Sequence, residues 1–227
     1  MIRKISFIIV VLFCFSMVID NAMAVSVDRL DARVRDARLV MGEMQQMPDT
    51  AIPKDLIKKC AGIAIFPSVV KGAFGIGGQY GQGVLLSKDD SGKWSPPAFV
   101  SIGGVSFGFQ IGGQATDMIL VIMNKRGVES FSSNNVTLGG DAAVAAGPIG
   151  RNAQMETDVL LRAGVFSYSR SKGLFAGVSL KGAIVGPMKN LDKDYYGQGA
   201  TAYDILFSGK FKPTGEGQKL IDLLNKY

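Results

Sequence analysis

Two kinds of serine motif in this sequence come nearest to catalytic chemistry. Gly104-Val105-Ser106-Phe107-Gly108 has the G-x-S-x-G spacing of a hydrolase nucleophile elbow, which needs a strand, a sharp turn, a helix and a histidine base. The 227 residues include no His, and apolar residues alternate with small or polar ones through Ser106 to Ile111. Ser68–Lys71 and Ser169–Lys172 have S-x-x-K spacing, but the companion segments of penicillin-recognising enzymes are absent. We therefore predict that the chain is not an enzyme.

Metal and nucleotide motifs are also incomplete. Asp192-Lys193-Asp194 resembles the start of a calcium loop, but Tyr196 and Tyr203 occupy the fifth and twelfth positions, where oxygen ligands are required. The glycine-rich run from Gly75 to Gly83 satisfies neither dinucleotide-binding nor P-loop spacing. The sequence therefore predicts neither a metal site nor a cofactor.

The basic residues are a better indication of function. The chain has 25 basic and 19 acidic residues, a formal net charge of +6, which permits an anionic partner without requiring one. A solvated surface is the default interpretation, and a face that binds anionic lipid head groups is the alternative. Nucleic acid is disfavoured because the cations are neither massed nor interleaved with aromatic residues. The candidate head-group residues are Lys54, Lys58, Lys59, Lys71, Arg170 and Lys172.

The first 24 residues have the three-part pattern of a secretory signal peptide. Arg3-Lys4 precedes an apolar run from Ile5 to Ile19, and Ala22-Met23-Ala24 supplies a cleavage site. We expect cleavage after Ala24 and export to the periplasm or the medium, without a lipid anchor on Cys14. Cys60 would then be the single thiol, and its apolar neighbours predict a buried side chain.

An amphipathic helix is predicted from Val27 to Met44, because apolar residues recur there at alternating steps of three and four. Its other faces carry balanced charges, including an i,i+4 pair of Asp31 and Arg35. Packing on its own domain and reversible insertion into a membrane are both compatible with this pattern. The candidate insertion face consists of Leu30, Val34, Ala37 and Met41.

The rest of the chain predicts an α+β fold. Short helices are expected at Pro53–Ala61, Lys125–Phe131, Thr201–Phe207 and Gly217–Lys226. Apolar runs such as Ile63–Phe66, Val84–Leu86 and Met118–Met123 indicate strands buried on both faces, and later strands are expected within Val159–Tyr168 and Leu174–Val185.

Glycine is unusually frequent, with 29 residues. Because glycine weakens strands, its frequency here indicates bulges, barrel corners or another group pressed against the backbone. We predict a strongly bent, glycine-rich antiparallel sheet, barrel-like or sandwich-like, flanked by N- and C-terminal helices. The expected organisation is a signal peptide (1–24), an amphipathic helix (25–47) and one domain (48–227).

Several segments resemble the SYLF domain family, in order and between residues 50 and 208. The most specific are the two long glycine-rich segments near residues 138 and 168. The matching segments are Ile52-Pro53, Ala61–Pro67, Lys71–Phe74, Gly92–Pro97, Leu138–Arg151 and Tyr168–Leu180.

The resemblance implies a non-enzymatic lipid-binding module. Eukaryotic members of the family bind phosphoinositide-containing membranes, and a yeast branch also binds actin filaments. An N-terminal amphipathic helix contributes to membrane binding in some relatives, which directs attention to Val27–Met44 and Lys54–Lys59. An exported protein would not meet actin, so an anionic phospholipid or membrane surface is the expected partner. The alternatives are an envelope module that docks onto another protein and, less favoured, a hydrolase using Ser68 or Ser106. The oligomeric state is not predicted.

Overall fold

The computed structural model describes residues 25–45, 52–74, 76–107, 112–149, 164–171, 174–177 and 180–227. Nine strands form one sheet, and six helices are present in the described residues. The strands are β1 (Gly62–Phe74), β2 (Ile76–Ser87), β3 (Ala98–Phe107), β4 (Gly112–Ile122), β5 (Val136–Thr137), β6 (Val144–Ala146), β7 (Val165–Ser171), β8 (Leu174–Gly177) and β9 (Ile184–Pro187). The helices are α1 (Val27–Gln45), α2 (Lys54–Lys59), α3 (Lys125–Ser133), α4 (Lys189–Tyr196), α5 (Ala202–Phe207) and α6 (Gly215–Leu224).

The strands follow the order β5-β9-β3-β2-β1-β4-β7-β6, and β8 pairs with β7. Every pair is antiparallel except β6 with β7, where Val144 lies opposite Val165 in a parallel register. The sheet is strongly curled into a half-barrel, which confirms the predicted α+β class and bent sheet. The parallel pair of β6 and β7 makes the sheet mixed, a detail that the prediction of an antiparallel sheet did not include.

The sheet has a separate hydrophobic core on each face. Ile63 and Ile65 of β1 belong to the core that also contains α1, α2, α4 and α6, so we call this side the α1 face. Ala64 and Phe66 belong to the core under α3 and α5, the α3 face. Successive residues of a strand point to opposite faces, so coverage on both sides explains why these apolar runs do not alternate with polar residues.

Helix α1 packs on the sheet and on α6, and its predicted boundaries are confirmed to within one residue. The predicted insertion face of α1 lies against the domain in this structure. Leu30, Val34, Ala37 and Met41 are all fully buried in the α1-face core. Burying a large apolar side chain contributes about 1.5–3 kcal/mol, so exposing this face to a membrane would first require the loss of that packing.

Asp31 illustrates how the domain orients α1. The predicted pair with Arg35 does not form, and Arg35 lies instead 3.9 Å from Asp36. Asp31 Oδ1 accepts hydrogen bonds from the Tyr195 hydroxyl at 2.5 Å and the Thr214 hydroxyl at 3.0 Å. These contacts join α1 to α4 and to the start of α6, so the polar side of α1 is also docked on its own domain.

Helix α4 was not predicted from the sequence, and it contains the residues that resemble a calcium loop. Asp192 is fully buried in this helix, and its Oδ1 accepts a hydrogen bond from the Phe99 backbone N–H at 2.8 Å. A carboxylate that ties a helix to β3 is not arranged as a loop ligand. The described residues contain no cluster of side chains that could hold a metal ion, and none of their helices is long and apolar enough to cross a bilayer.

Candidate functional site

Three of the predicted lysines lie together on α2, at one end of the sheet. Lys54, Lys58 and Lys59 are exposed, while Leu56 and Ile57 of the same helix are buried in the α1-face core. This six-residue helix therefore anchors one side and presents its cations on the other. None of the three lysines forms an ion pair with any described residue, so their charges are available to an external anion.

Strand register brings more cations to the same end. Gly62, where β1 begins, lies opposite Ser87 of β2 and Ile122 of β4. The segments that follow those two strands must therefore lie beside α2. We call this region the basic end, and its basic residues are Lys54, Lys58, Lys59, Lys88, Lys93, Lys125 and Arg126.

Lys88 connects the end of α2 to Trp94 within the basic end. Its Nζ donates hydrogen bonds to the carbonyl oxygens of Ile57 at 2.7 Å and Lys58 at 3.1 Å, and it lies 4.5 Å from the centre of the Trp94 ring. The ammonium group thus caps the carboxyl end of α2, where the helix dipole favours a cation. Burial lowers the pKa of Lys88. We assign it a structural role, which leaves the other six cations to face an anion.

Acidic residues only partly offset this charge. Asp55, Asp89, Asp90 and Glu129 lie on the same segments, so seven basic and four acidic residues leave an excess of three positive charges. Asp89 is occupied within its own turn, because its Oδ1 accepts from the backbone N–H groups of Ser91 and Lys93 and from the Ser91 hydroxyl. Those hydrogen bonds lower the pKa of Asp89, which keeps it ionised and engaged locally.

A polar cavity of about 540 Å³ adjoins the basic end at the start of α3. Asn124 caps this helix by accepting a hydrogen bond from the Gly127 N–H at 2.8 Å. Arg126 and Asp141 line the cavity, and Asp141 in turn accepts from the Thr137 N–H. Arg126 therefore faces both the cavity and the basic end.

Lys71 and Arg170 do not join the α2 lysines. Lys71 lies opposite Gln79 and Gln114, nine residues along β1 from Gly62, and at 3.3 Å per residue this is about 30 Å from the basic end. Arg170 bonds the carboxylates of Asp117 and Glu43, with Arg170 Nε 2.7 Å from Asp117 Oδ2. Arg170 is therefore paired with two carboxylates and is not among the cations of the basic end. Lys172 lies outside the described residues.

Ser106 and Ser68 are held in the sheet as backbone elements. Ser106 lies within β3, opposite Gly77, so the strand continues where a nucleophile elbow would need a turn and a helix. Ser68 lies in a bulge of β1, where its backbone N–H donates to Asp117 Oδ1 at 2.9 Å. Asp117 is itself bonded by Arg170, so it is held as a structural partner of the bulge.

Cys60 is buried as predicted, and its thiol donates a hydrogen bond to the Ile57 carbonyl at 3.1 Å. Burial raises the pKa of the thiol to about 11. Because the thiolate is the reactive form, Cys60 is inert at neutral pH.

A family profile and several curated proteins match this chain. The family profile Ysc84, described as "Las17-binding protein actin regulator", matches residues 103–227. The chain is 40% identical over 183 residues to the human "SH3 domain-containing YSC84-like protein 1", covering 79% of this chain and 52% of that protein. The rat protein of the same name is 38% identical over 181 residues, covering 79% and 53%.

The chain also matches a smaller share of a yeast protein. The chain is 37% identical over 168 residues to "LAS seventeen-binding protein 3" of Saccharomyces cerevisiae (strain ATCC 204508 / S288c), covering 73% of this chain and 36% of that protein. The chain spans about half the length of the animal relatives it matches. The resemblance noted in the sequence is confirmed, and the chain belongs to the Ysc84, or SYLF, family.

Proposed function

We propose that this chain is a non-enzymatic lipid-binding module that docks on anionic phospholipid surfaces through its basic end. The observation that carries the proposal is the position of Lys54, Lys58 and Lys59, three exposed cations on one short anchored helix that form no ion pair with any described residue. Lys93, Lys125 and Arg126 extend the same end of the sheet. No hydrolytic centre accompanies them in the described residues.

The energy of such docking is electrostatic. A lysine or arginine beside an anionic leaflet contributes about 1 kcal/mol, so the three α2 lysines together supply about 3 kcal/mol. The contribution is screened within a Debye length of about 8 Å at physiological ionic strength. Binding is therefore expected to be reversible, to increase with the fraction of anionic lipid and to weaken with salt.

The packing of α1 sets the mode of attachment. Because Leu30 and Val34 are fully buried, α1 stays on the domain and the protein lies on the surface of the bilayer. The exposed cations of α2, and not the apolar face of α1, then make the contact with the membrane. With the predicted signal peptide, this describes a peripheral membrane protein of the cell envelope in the periplasm or outside the cell.

A protein-interaction role is the second candidate. It is favoured by the names of the relatives, which describe a "Las17-binding protein actin regulator" and a "LAS seventeen-binding protein". In an exported protein those partners would not be encountered, so an envelope protein would take their place. A protein that binds vesicles of no composition, while retaining its fold, would support this alternative.

The test is co-sedimentation of protein, purified after expression of the full chain, with vesicles containing 0–40% phosphatidylglycerol in phosphatidylcholine. We compare it with the triple variant Lys54→Gln, Lys58→Gln, Lys59→Gln. Loss of about 3 kcal/mol corresponds to affinity weakened roughly 150-fold. Raising the salt concentration should weaken the binding of the parent protein to anionic vesicles. The binding of the triple variant should change much less.

A matched control removes three exposed lysines elsewhere, at Lys189, Lys210 and Lys212. It lowers the net charge equally, so it separates a located site from a general charge effect. The proposal predicts that the control binds within threefold of the parent. Equal losses in both triple variants, or binding that ignores lipid charge, would refute it.

A further inference from the structure

The far half of the central strands is open on the α1 face, beyond α1. In one cross-strand row, Gly103, Tyr80, Val70 and Ala115 lie side by side on β3, β2, β1 and β4. Val70 is 56% exposed and Tyr80 is 53% exposed. A second row, two residues nearer the strand ends, contains Gly78 of β2 paired with Gly72 of β1, with Val105 and Gly113 on either side.

The glycines of this second row have no explanation within the described chain. A Cβ built on Gly72 would meet nothing within 4 Å, and one on Gly78 would meet only the Gly104 carbonyl oxygen at 4.0 Å. Elsewhere in the same strands glycine is required, since a Cβ at Gly81 would lie 2.7 Å from Val69. Glycine in a strand costs roughly 0.5–1 kcal/mol relative to alanine. Close approach of an external group to the backbone is one structural reason for glycine at such open positions.

The two rows form a channel that runs across the strands. Tyr80 and Val70 make one wall, the paired glycines make the floor, and the next register positions on the far side belong to Phe74 and Ile76. Residues i and i+2 of a strand are separated by about 6.7 Å, so the rows on either side of the floor are about 13 Å apart between backbones.

The dimensions favour a thin apolar occupant. An α-helix with its side chains is about 10–12 Å wide and would not reach the glycine floor. A polymethylene chain, about 4 Å thick at van der Waals contact, fits between the rows. It would contact the flat backbone and the apolar side chains of Tyr80 and Val70.

The charge at the edge of the channel indicates that the occupant also carries an anionic head group. Burial lowers the pKa of the Arg33 guanidinium of α1, and the charges of Tyr80 and Asp36 act in the opposite direction. Among the described residues its buried Nη1 has no hydrogen-bond partner, which is costly for a buried donor. The Tyr80 hydroxyl, which accepts from Gln82 Nε2 at 2.8 Å, is a further polar group beside it. An anionic group placed here would satisfy the guanidinium.

We infer that this channel binds a single-chain anionic amphiphile of the fatty-acid class, with its alkyl chain over Gly72 and Gly78 and its carboxylate on Arg33. The inference rests on the proposed function in taking lipid as the ligand class. It places this ligand at the end of the sheet opposite the basic end. The two sites are about 30 Å apart along β1, so they can be tested separately.

The test is a calorimetric titration of dodecanoate, kept below its micellar concentration, into protein purified after expression of the full chain. Gly72→Leu fills the channel floor and should weaken binding at least tenfold. Gly215→Leu is the matched control, because Gly215 also has nothing within 4 Å but lies at the start of α6. It should bind dodecanoate within twofold of the parent.

A second comparison tests the carboxylate. Arg33→Gln should weaken the affinity for dodecanoate at least tenfold. It should change the affinity for the uncharged 1-dodecanol less than twofold. Unchanged dodecanoate affinity in Gly72→Leu would overturn the inference. The inference would also be overturned if the parent protein were a dimer and Gly72→Leu made it a monomer without changing its affinity for dodecanoate. The face would then be an interface between two copies of the chain.

Vesicle co-sedimentation of the same variants separates this inference from the proposed function. Gly72→Leu should still bind anionic vesicles like the parent. If the parent protein binds vesicles but not dodecanoate, the channel proposal is refuted and the proposal for the basic end is retained. A parent that binds neither would refute both.

Discussion

The two halves of the central strands have opposite surroundings, although they belong to the same strands. Near the start of β1, Ile63 and Ala64 are fully buried on opposite faces, under helices on both sides. Past the bulge at Ser68, the strand carries the exposed Val70 and the open Gly72. The covered half has a sequence explained by internal packing. The open half has residues that internal packing does not explain, and both proposed lipid contacts lie outside the covered core.

The most damaging change to the covered half is a charge beneath α1. Val34→Asp would place a carboxylate in the α1-face core, where it finds no partner, and we expect a loss of more than about 4 kcal/mol in the free energy of unfolding. Leu39→Asp is the control, because Leu39 lies on the exposed side of the same helix. Its effect should stay within about 0.5 kcal/mol. Chemical denaturation followed by circular dichroism measures both, and equal effects would show that α1 is not part of the core.

Glycine substitutions compare the halves directly. A Cβ at Gly83 would overlap the Ile65 carbonyl oxygen, whereas Gly72 is open. We expect Gly83→Val to cost about 1–3 kcal/mol through overpacking. Gly72→Val should be neutral or stabilise by up to about 1 kcal/mol, because valine suits strands better. Denaturation of the two variants tests this, and destabilisation of the same size at both positions would contradict the distinction between the halves.

A smaller, pH-dependent effect is expected at Asp192, in the covered half. Burial raises the pKa of this carboxyl to about 7, and Oδ2 has no hydrogen-bond partner in the part of the chain that the structure describes. The unfolded carboxyl titrates near 3.9, so the folded state binds more protons between these values. Stability should therefore fall as pH rises from about 4 to 7 and level off above it.

Asp192→Asn keeps the acceptor for the Phe99 N–H and removes the charge. It should stabilise the protein by roughly 1–3 kcal/mol at pH 8 and have little effect at pH 4. Asp222→Asn, on the exposed face of α6, is the control and should change stability by less than about 0.5 kcal/mol at either pH. A parallel pH profile for Asp192→Asn and the parent would refute this account.

The covered half was the more predictable part of the fold. The period of α1 and the unbroken apolar runs of β1, β2 and β4 follow from burial, and burial is directly reflected in residue type. Helix α4 was missed because its apolar residues are few and its Asp192 is buried in a way that no local pattern indicates. The parallel pairing of β6 with β7 depends on tertiary topology.

The candidate site was predictable only in part. Lys54, Lys58 and Lys59 share a short helix, so their proximity was visible in the sequence. Lys125 and Arg126 join them only because Gly62 pairs with Ile122, a long-range register that composition does not reveal. The ion pairs of Arg170 were not predictable for the same reason, since its partners Asp117 and Glu43 are distant in sequence.

Hydrogen–deuterium exchange on anionic vesicles tests the central claim most directly, because it shows which segment meets the bilayer. The account predicts added protection at residues 54–59, 88–93 and 125–126 when phosphatidylglycerol is present, with exchange in α1 unchanged. Protection confined to α1, or faster exchange in the strands beneath it, would mean that the helix leaves the domain to insert, and would contradict docking through the basic end.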